Sequence, residues 1–257
     1  MTAKINMKRL AGIFIGIFFM LPVKGENLRE LIEQANEAYI NGEYSFAIEL
    51  YEQVLENQKE AAELYHNLGN AYFKENRLGP AILNYKRALR LSPSDENIRF
   101  NLEVARSRIV DRIEPVPLIF YERWWKNFIN LQAVDGWAVI GLAFLLLFLG
   151  SLSMYFFSRR VGIKKLGFSL SLVFLLTTGL CFFAANRQYR HHYVEKEAIV
   201  FVPRVTAKSA PGQTSTDIFV IHEGTHVRIT DNLGEWYQVK LANGNVGWIN
   251  QKALEVI

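Results

Sequence analysis

A repeat with a spacing of 34 residues constrains this 257-residue chain more than any other feature. Small, branched and aromatic positions of one segment return in the next: Ala47, Ile48, Tyr51 and Leu55 recur as Ala81, Ile82, Tyr85 and Leu89. The segment before them repeats in the same way, and Asn36 recurs as Asn70. This period is typical of helix–turn–helix units that stack and bury a shared core. Such units usually hold other proteins, so the repeat favours binding over chemistry.

The hydrophobic pattern predicts two helical hairpins and a capping helix between residues 28 and 110. The predicted helices are Leu28–Ile40, Tyr44–Asn57, Glu63–Lys74 and Gly79–Leu91, then a fifth that Ser94 or Asp95 caps and that runs to about Val110. Close helix crossings are predicted where the repeat keeps small residues, at Ala35, Gly69, Ala47 and Ala81. In period and pattern these hairpins resemble tetratricopeptide (TPR) repeats.

Asn36 and Asn70 occupy equivalent positions on the inner helices of the two hairpins. The resemblance implies that an asparagine there binds the backbone or the C-terminal carboxylate of a guest peptide, since its amide both donates and accepts. The predicted flanking residues of this groove are Tyr39, His66, Phe73 and Lys74. The alternative is that the two asparagines only bridge neighbouring helices. Two repeats and a cap are few, so the exposed end is expected to dock on another copy, a membrane helix or a partner.

Three apolar blocks predict a membrane protein. Basic residues followed by an apolar run from Leu10 to Val23 predict a signal peptide cleaved near Gly25, with an uncleaved anchor as the alternative. Residues 137–157 and 166–185 carry no charge, and each is long enough to cross a hydrocarbon core of about 30 Å.

The distribution of charge predicts the topology and explains the sequence pI of about 9.1. Seven Lys and Arg residues lie before the first apolar block or in the connector 158–165, and the rest of the chain is net negative. By the positive-inside rule the connector is cytoplasmic, so both flanking regions face the other side, as the signal peptide also predicts. The basic pI therefore records membrane topology, and no nucleic-acid partner is predicted.

A segment from Leu118 to Leu131 mixes aromatic, apolar and basic residues. It follows a linker with Pro115 and Pro117 and predicts a helix at the bilayer surface, anchored by Trp124 and Trp125. A soluble amphipathic helix packed on the repeats is the alternative.

The last 61 residues, 197–257, alternate as short strands separated by turns. The predicted strands are Ala198–Val202, Asp217–Ile221, Val227–Thr230, Trp236–Leu241 and Val246–Ile249. Asn243-Gly244 predicts a hairpin turn, because both residues tolerate positive φ. The spacing predicts a small barrel.

The C-terminal segment resembles a bacterial SH3-like domain. The resemblance rests on Val205–Pro211, His222–Arg228, Glu235–Leu241 and Gly247–Ile249. Trp236, Tyr237 and Trp248 are candidates for an aromatic groove that binds peptide or peptidoglycan, with a core role as the alternative. His222 and His226 lack an acidic pair that would complete a zinc site, so no metal is predicted.

The full order of segments resembles the BatE family of the Bacteroides aerotolerance (Bat) operon. Besides the repeats, the membrane hairpin and the SH3-like tail, the match includes Asp111–Pro117 and Trp124-Trp125. The resemblance implies a bacterial inner-membrane protein. With the topology predicted from the charges, both large domains are then expected in the periplasm. It also implies association with membrane-bound von Willebrand factor A-type proteins and a MoxR-type ATPase.

The predicted fold class is a multi-domain membrane protein with α-helical TPR hairpins, a two-helix transmembrane hairpin and a small all-β SH3-like barrel. The predicted segments are 1–25 signal peptide, 26–112 TPR repeats with cap, 113–136 linker and interfacial helix, 137–157 and 166–185 transmembrane helices, 158–165 cytoplasmic loop, 186–196 linker and 197–257 SH3-like domain.

The sequence favours a non-enzymatic role. It contains no nucleophile elbow, phosphate loop, zincin motif or dinucleotide fingerprint, and no cofactor is predicted. The leading hypothesis is an inner-membrane scaffold or adaptor for protein–protein interaction in a Bat-type complex, with self-association as a further prediction. The alternative is a cell-wall sensor or anchor that binds peptidoglycan through the SH3-like domain.

Overall fold

The computed structural model describes residues 24–57, 60–117, 119–190 and 196–257. Almost all of the predicted signal peptide lies outside these residues. The chain divides into two compact units, residues 1–59 and 60–257.

The first unit contains one helical hairpin, formed by α1 (Lys24–Ile40) and α2 (Tyr44–Glu56). Helix α1 begins four residues earlier than predicted and includes the last two residues of the predicted signal peptide. Its end is closed by Gly42, whose φ of 83° suits the left-handed conformation. The Gly42 N–H donates to the Tyr39 carbonyl at 3.2 Å and the Glu43 N–H to the Ala38 carbonyl at 2.9 Å.

The second unit begins with α3 (Ala62–Lys74), α4 (Leu78–Leu91) and α5 (Glu96–Ser107). The turn after α3 repeats the turn after α1 at a distance of 34 residues, because Asn76 takes the left-handed position with φ of 60°. Asn76 donates to Phe73 and Arg77 to Tyr72, both at 3.0 Å. Asparagine is the usual substitute for glycine at this position, so the period extends to the helix caps.

Two predicted details of the repeat are confirmed. A Cβ added to Gly69 would lie 2.8 Å from the Tyr85 ring, so only glycine allows α3 to approach α4 this closely. Asp95 caps α5 by accepting hydrogen bonds from the N–H groups of Asn97 and Ile98.

Three helices follow: α6 (Phe120–Ile129), α7 (Val134–Phe157) and α8 (Val161–Tyr189). Helices α7 and α8 are long and apolar enough to cross a membrane. They pack closely at Gly167. A Cβ added there would lie 2.9 Å from the Tyr155 backbone nitrogen. The connector is shorter than predicted: only residues 158–160 are non-helical, and Lys164 and Lys165 belong to α8. Nothing between Val161 and Leu166 interrupts helix formation, so the helix begins before the apolar run.

The C-terminal domain is a seven-stranded antiparallel sheet. Its strands are β1 (Glu197–Val200), β2 (Arg204–Lys208), β3 (Asp217–His222), β4 (His226–Leu233), β5 (Trp236–Lys240), β6 (Val246–Asn250) and β7 (Leu254–Val256), in the order β3-β2-β6-β5-β4-β1-β7. Bulges interrupt β3 and β4, which bends the sheet as an SH3-like fold requires. Five strands were predicted, and β2 and β7 were missed. The β5–β6 turn is confirmed, but only Gly244 has positive φ there.

Candidate functional site

The predicted groove residues fall in two units. In the first unit, Asn36 Oδ1 accepts a hydrogen bond from the Tyr51 hydroxyl at 2.7 Å, which ties α1 to α2. The Tyr39 ring packs edge-on against Tyr44 at 5.4 Å. Both groups therefore have a structural role within their own hairpin.

In the second unit, Asn70 repeats this contact and adds to it. Its Oδ1 accepts from the Tyr85 hydroxyl at 2.8 Å and from Asn101 Nδ2 at 3.0 Å. Asn101 Nδ2 also lies 2.8 Å from His66 Nε2, and burial lowers the pKa of His66. A neutral imidazole suits this arrangement, since Nε2 then accepts from the amide. The network joins α3, α4 and α5 and leaves this face partly exposed.

Phe73 and Lys74 lie at the end of α3. The Phe73 ring is stacked under the Arg108 guanidinium at 4.3 Å, and Lys74 is exposed. The face formed by His66, Asn70, Phe73, Lys74 and Arg108, here called the α3 face, presents an amide, an imidazole, a phenyl ring and two cations.

The three predicted SH3-like groove residues divide between two faces of the sheet. Tyr237 is paired with Ile249 and packs on the domain core. Trp248 pairs with Gln238, two positions along from Trp236, and alternation places both tryptophans on the opposite face, half-buried. The structure therefore places Trp236 and Trp248 on the same face of the sheet and assigns Tyr237 to the core.

The two predicted membrane anchors also differ. The Trp125 ring lies 5.9 Å from Phe183 of α8, whereas Trp124 is 67% exposed, on the same side of α6 as the exposed Phe120. Trp137 Nε1 donates to the Ile129 carbonyl at 2.8 Å and fixes α6 against the start of α7. One side of α6 thus packs on the two long helices and the other is open.

The contact that the sequence did not predict joins the TPR-like helices to the C-terminal domain. Helix α4 packs on β1, and seven consecutive α4 residues, Gly79–Tyr85, are buried. Ala198 and Val200 of β1 enter the sheet core, yet Ile199 between them is also fully buried, on the face that β1 turns to α4. We call this contact the interdomain interface.

A triangle of charged groups lies in the interdomain interface. Glu197 Oε2 is 2.7 Å from Lys86 Nζ and 2.9 Å from His226 Nε2, and the two nitrogens are 2.8 Å apart. His226 Nε2 cannot donate to the Glu197 carboxylate and accept from the Lys86 ammonium at once. The triangle therefore disfavours the state in which His226 and Lys86 are both protonated. Burial lowers the pKa of Lys86 to about 8 and lowers that of His226, although Glu197 opposes both shifts. Burial opposes ionisation of Glu197, but His226 and Lys86 outweigh it and lower the pKa of Glu197.

A second polar cluster lies where the chain leaves α5. Asp111 Oδ2 accepts from the His222 N–H and the Thr225 hydroxyl, each at 2.6 Å, and Asp111 Oδ1 lies 2.8 Å from His222 Nδ1. Burial would raise the pKa of Asp111, but the hydrogen bonds from Thr225 and His222 outweigh it and lower the pKa. His222 and His226, the two histidines considered as metal ligands, thus both form contacts between the helical region and the C-terminal domain.

The β3–β4 turn completes the interface. Arg77 provides no side-chain cap for α4, and Glu223 of the turn accepts from the Gly79 N–H at 3.0 Å instead, as an acid at a helix N-terminus should. Gly224 follows with φ of 83°, and a Cβ there would lie 2.6 Å from Ile109 and 3.1 Å from Ile82. At the other end, the Arg87 guanidinium donates to the Val256 carbonyl of β7 at 3.1 Å.

One sequence signal pointed to this interface. Ala198–Val202 is apolar at five consecutive positions, which indicates a strand buried on both faces rather than an alternating one. The charged partners gave no signal, because Lys86, Glu197 and His226 look like ordinary surface residues until the fold brings them together.

The geometry serves recognition and domain docking. Among the residues described, no group of three or more His, Cys, Asp or Glu side chains is placed to hold a metal ion. Residues 69–105 match the TPR repeat family model, and residues 204–255 match the bacterial SH3 domain model. No curated protein matches the chain. The two matches indicate protein–protein or peptidoglycan interaction by modules that are typically non-catalytic, and the two apolar helices indicate membrane association.

Proposed function

We propose that the chain is a non-enzymatic inner-membrane scaffold or adaptor. Its TPR-like and SH3-like modules face the periplasm and recruit membrane proteins, von Willebrand factor A-type Bat proteins among them, into an aerotolerance complex. The interdomain interface is the observation that carries this proposal. It joins two recognition modules next to a pair of long apolar helices, so that one protein holds both modules at the bilayer.

The α3 face is the proposed partner site. The interdomain interface uses α4, which leaves His66, Asn70 and Lys74 of α3 on a different, partly exposed side. The amide and the cations there suit an extended peptide that ends in a carboxylate or carries acidic residues.

Site-directed photocrosslinking in intact membranes tests the scaffold. A photoreactive residue at Lys74 should trap a membrane partner, identified by mass spectrometry, whereas one at the exposed Glu56 of α2 should trap far less. Free peptide with an acidic C-terminus should compete with this partner and reduce the yield of the crosslinked product. Failure to trap any protein at Lys74, under conditions where the protein inserts normally, would argue against a scaffold.

The proposed topology has its own test. With Cys181 replaced by serine, single cysteines at Ser158 and at Asn243 should be labelled from opposite sides of the membrane. Periplasmic reagent is expected to label the residue at 243 and not that at 158, because the connector carries the positive charge. Labelling of both from one side would contradict a two-pass arrangement.

Two tryptophans on one face of the sheet favour a second candidate function, peptidoglycan binding by the SH3-like domain. Trp236 and Trp248 share a half-buried face that the interdomain interface does not use. Detergent-solubilised full-length protein should sediment with purified sacculi, and Trp236→Ala with Trp248→Ala should abolish sedimentation. Ile218→Ala, an exposed apolar change in the same sheet, is the control. No sedimentation of the unaltered protein would leave the scaffold as the better account.

A further inference from the structure

An open cleft lies where α7 ends and α8 begins. Its volume is about 300 Å³, which is within the lower range of pockets that hold small molecules. Tyr155 of α7 lines one side, and Val161, Lys164, Lys165 and Phe168 of α8 line the other. The four α8 residues are spaced i, i+3, i+4 and i+7, so they form one stripe of the helix.

The cleft has a charged part and an apolar part. Lys164 and Lys165 lie near the connector, and Phe168 lies about 4.5 Å further along the axis of α8 than Lys165. The rings of Phe168 and Tyr155 approach to 5.9 Å. Just before Phe168, the contact of Gly167 with α7 closes the gap between the helices. A ligand that fits must be anionic at one end and apolar at the other.

The positive charge of this region is not compensated by the acids of the described residues. Residues 158–165 carry four cations and no acid. Within the described part of the chain, neither Lys164 nor Lys165 forms an ion pair. An ammonium group suits a phosphate as a compact point charge, and basic clusters beside a spanning helix attract anionic lipids.

Topology alone does not require this arrangement. The positive-inside rule depends on the number of cations near the end of a spanning helix. It does not require those cations to line a cleft. Arg159 and Arg160 satisfy the rule without lining the cleft, whereas Lys164 and Lys165 line it together with the aromatic rings of Tyr155 and Phe168.

We propose that this cleft binds one anionic glycerophospholipid. Its headgroup phosphate lies between the ammonium groups of Lys164 and Lys165, and an acyl chain lies along Phe168 and Tyr155. The inference rests on the proposed function only in requiring that α7 and α8 occupy a bilayer. It holds for either orientation of the hairpin.

Native mass spectrometry of the full chain tests the site. The protein in detergent is titrated with phosphatidylglycerol or phosphatidylcholine, and the fraction with one bound lipid is measured. Phosphatidylglycerol should saturate a single site at concentrations where phosphatidylcholine does not. Lys164→Gln with Lys165→Gln should weaken this binding about tenfold or more, and Arg159→Gln with Arg160→Gln, which removes the same charge, less than about threefold.

Three results would overturn the proposal: equal loss in the two double variants, equal binding of the two lipids, or unchanged binding in the lysine variant. Phe168→Ala provides a second measurement, because it should weaken binding without altering charge. Cysteine labelling of each variant in membranes reports insertion separately. A wrong topology would therefore be recognised independently of lipid binding.

Discussion

Glu197 contacts both other charged groups of the triangle in the interdomain interface. It faces Lys86 and His226 at hydrogen-bond distance, and all three side chains are largely buried. Removing one partner of a buried charged group leaves the others desolvated and unpaired, which costs about 2–4 kcal/mol.

Glu197→Gln should therefore loosen docking of the C-terminal domain on α4. Hydrogen exchange of the β1 amides, read by mass spectrometry, should accelerate about 30-fold or more. Asp217→Asn is the matched control. The Asp217 carboxylate also pairs with a lysine of the same domain, Lys208, but the Asp217 side chain is 66% exposed. Its effect should stay below about 1 kcal/mol. Equal effects of the two changes would show that the triangle does not hold the interface.

The same triangle predicts weaker docking in acid. The pKa values of Lys86, His226 and Glu197 are all lowered in the docked state. Each group therefore binds fewer protons docked than free, and Arg106 and Lys126 add positive charge nearby. Stability therefore falls as protons are added: first between pH 10.5 and about 8 through Lys86, then below the ordinary His pKa of 6.5, and again below the ordinary Glu pKa of 4.5.

Hydrogen exchange of β1 between pH 7.5 and 4, corrected for intrinsic rates, measures this dependence. His226→Asn should remove the step near 6.5 and keep the one near 4.5. Tighter docking at pH 5 than at pH 7.5 would contradict the assignment.

At the scale of elements, the β3–β4 turn allows the C-terminal domain to approach α4 closely. Glu223 caps α4, and Gly224 allows Ile82 and Ile109 to touch the turn. The turn belongs to one domain and completes a helix of another, which explains why α4 carries no cap of its own.

Gly224→Ala should impair docking more than its backbone conformation alone explains. The left-handed backbone costs about 1–2 kcal/mol for alanine, and overlap with Ile109 adds about 1–3 kcal/mol. Gly234→Ala is the control, because Gly234 has φ of 60° and nothing within 4 Å of an added Cβ. Thermal unfolding gives both values, and equal losses for the two variants would mean that the contact with Ile109 is unimportant.

Sequence predicted the elements well wherever period or composition decides them. The 34-residue repeat predicted four helices and the small residue at Gly69, and the charge-free runs predicted α7 and α8. Strand β7 was missed because three residues carry too little pattern, and β2 was missed because no strand was assigned within the Val205–Pro211 motif. The extent of α8 was underestimated, since hydropathy marks the apolar part of a helix and not its polar first turn.

At the scale of the whole molecule, the sequence suggested separate modules and the structure joins them. Lys86 and Glu197 are 111 residues apart, and so are Asp111 and His222. Contacts at such a distance combine residues that have no common pattern. The candidate groove was predicted by analogy, whereas the interdomain interface needed the fold.

Cutting the chain between α8 and β1 tests whether non-covalent contacts alone hold the C-terminal domain in place. A protease site placed within residues 191–195 of the full chain should be cut without releasing residues 196–257 from the detergent-solubilised remainder. Glu197→Gln or Gly224→Ala should release them, and Gly234→Ala should not. Size-exclusion chromatography reads the outcome, and release from the unaltered chain would refute stable docking.

The position of α7 and α8 between the two docking partners has a consequence for biosynthesis. The ribosome completes α4 long before it makes β1, and both long helices emerge in the interval. Until β1 arrives, Ile82, Lys86 and the uncapped start of α4 have no cover. A chain that has not yet reached β1 therefore lacks this contact, and the interface closes only after both long helices have been made.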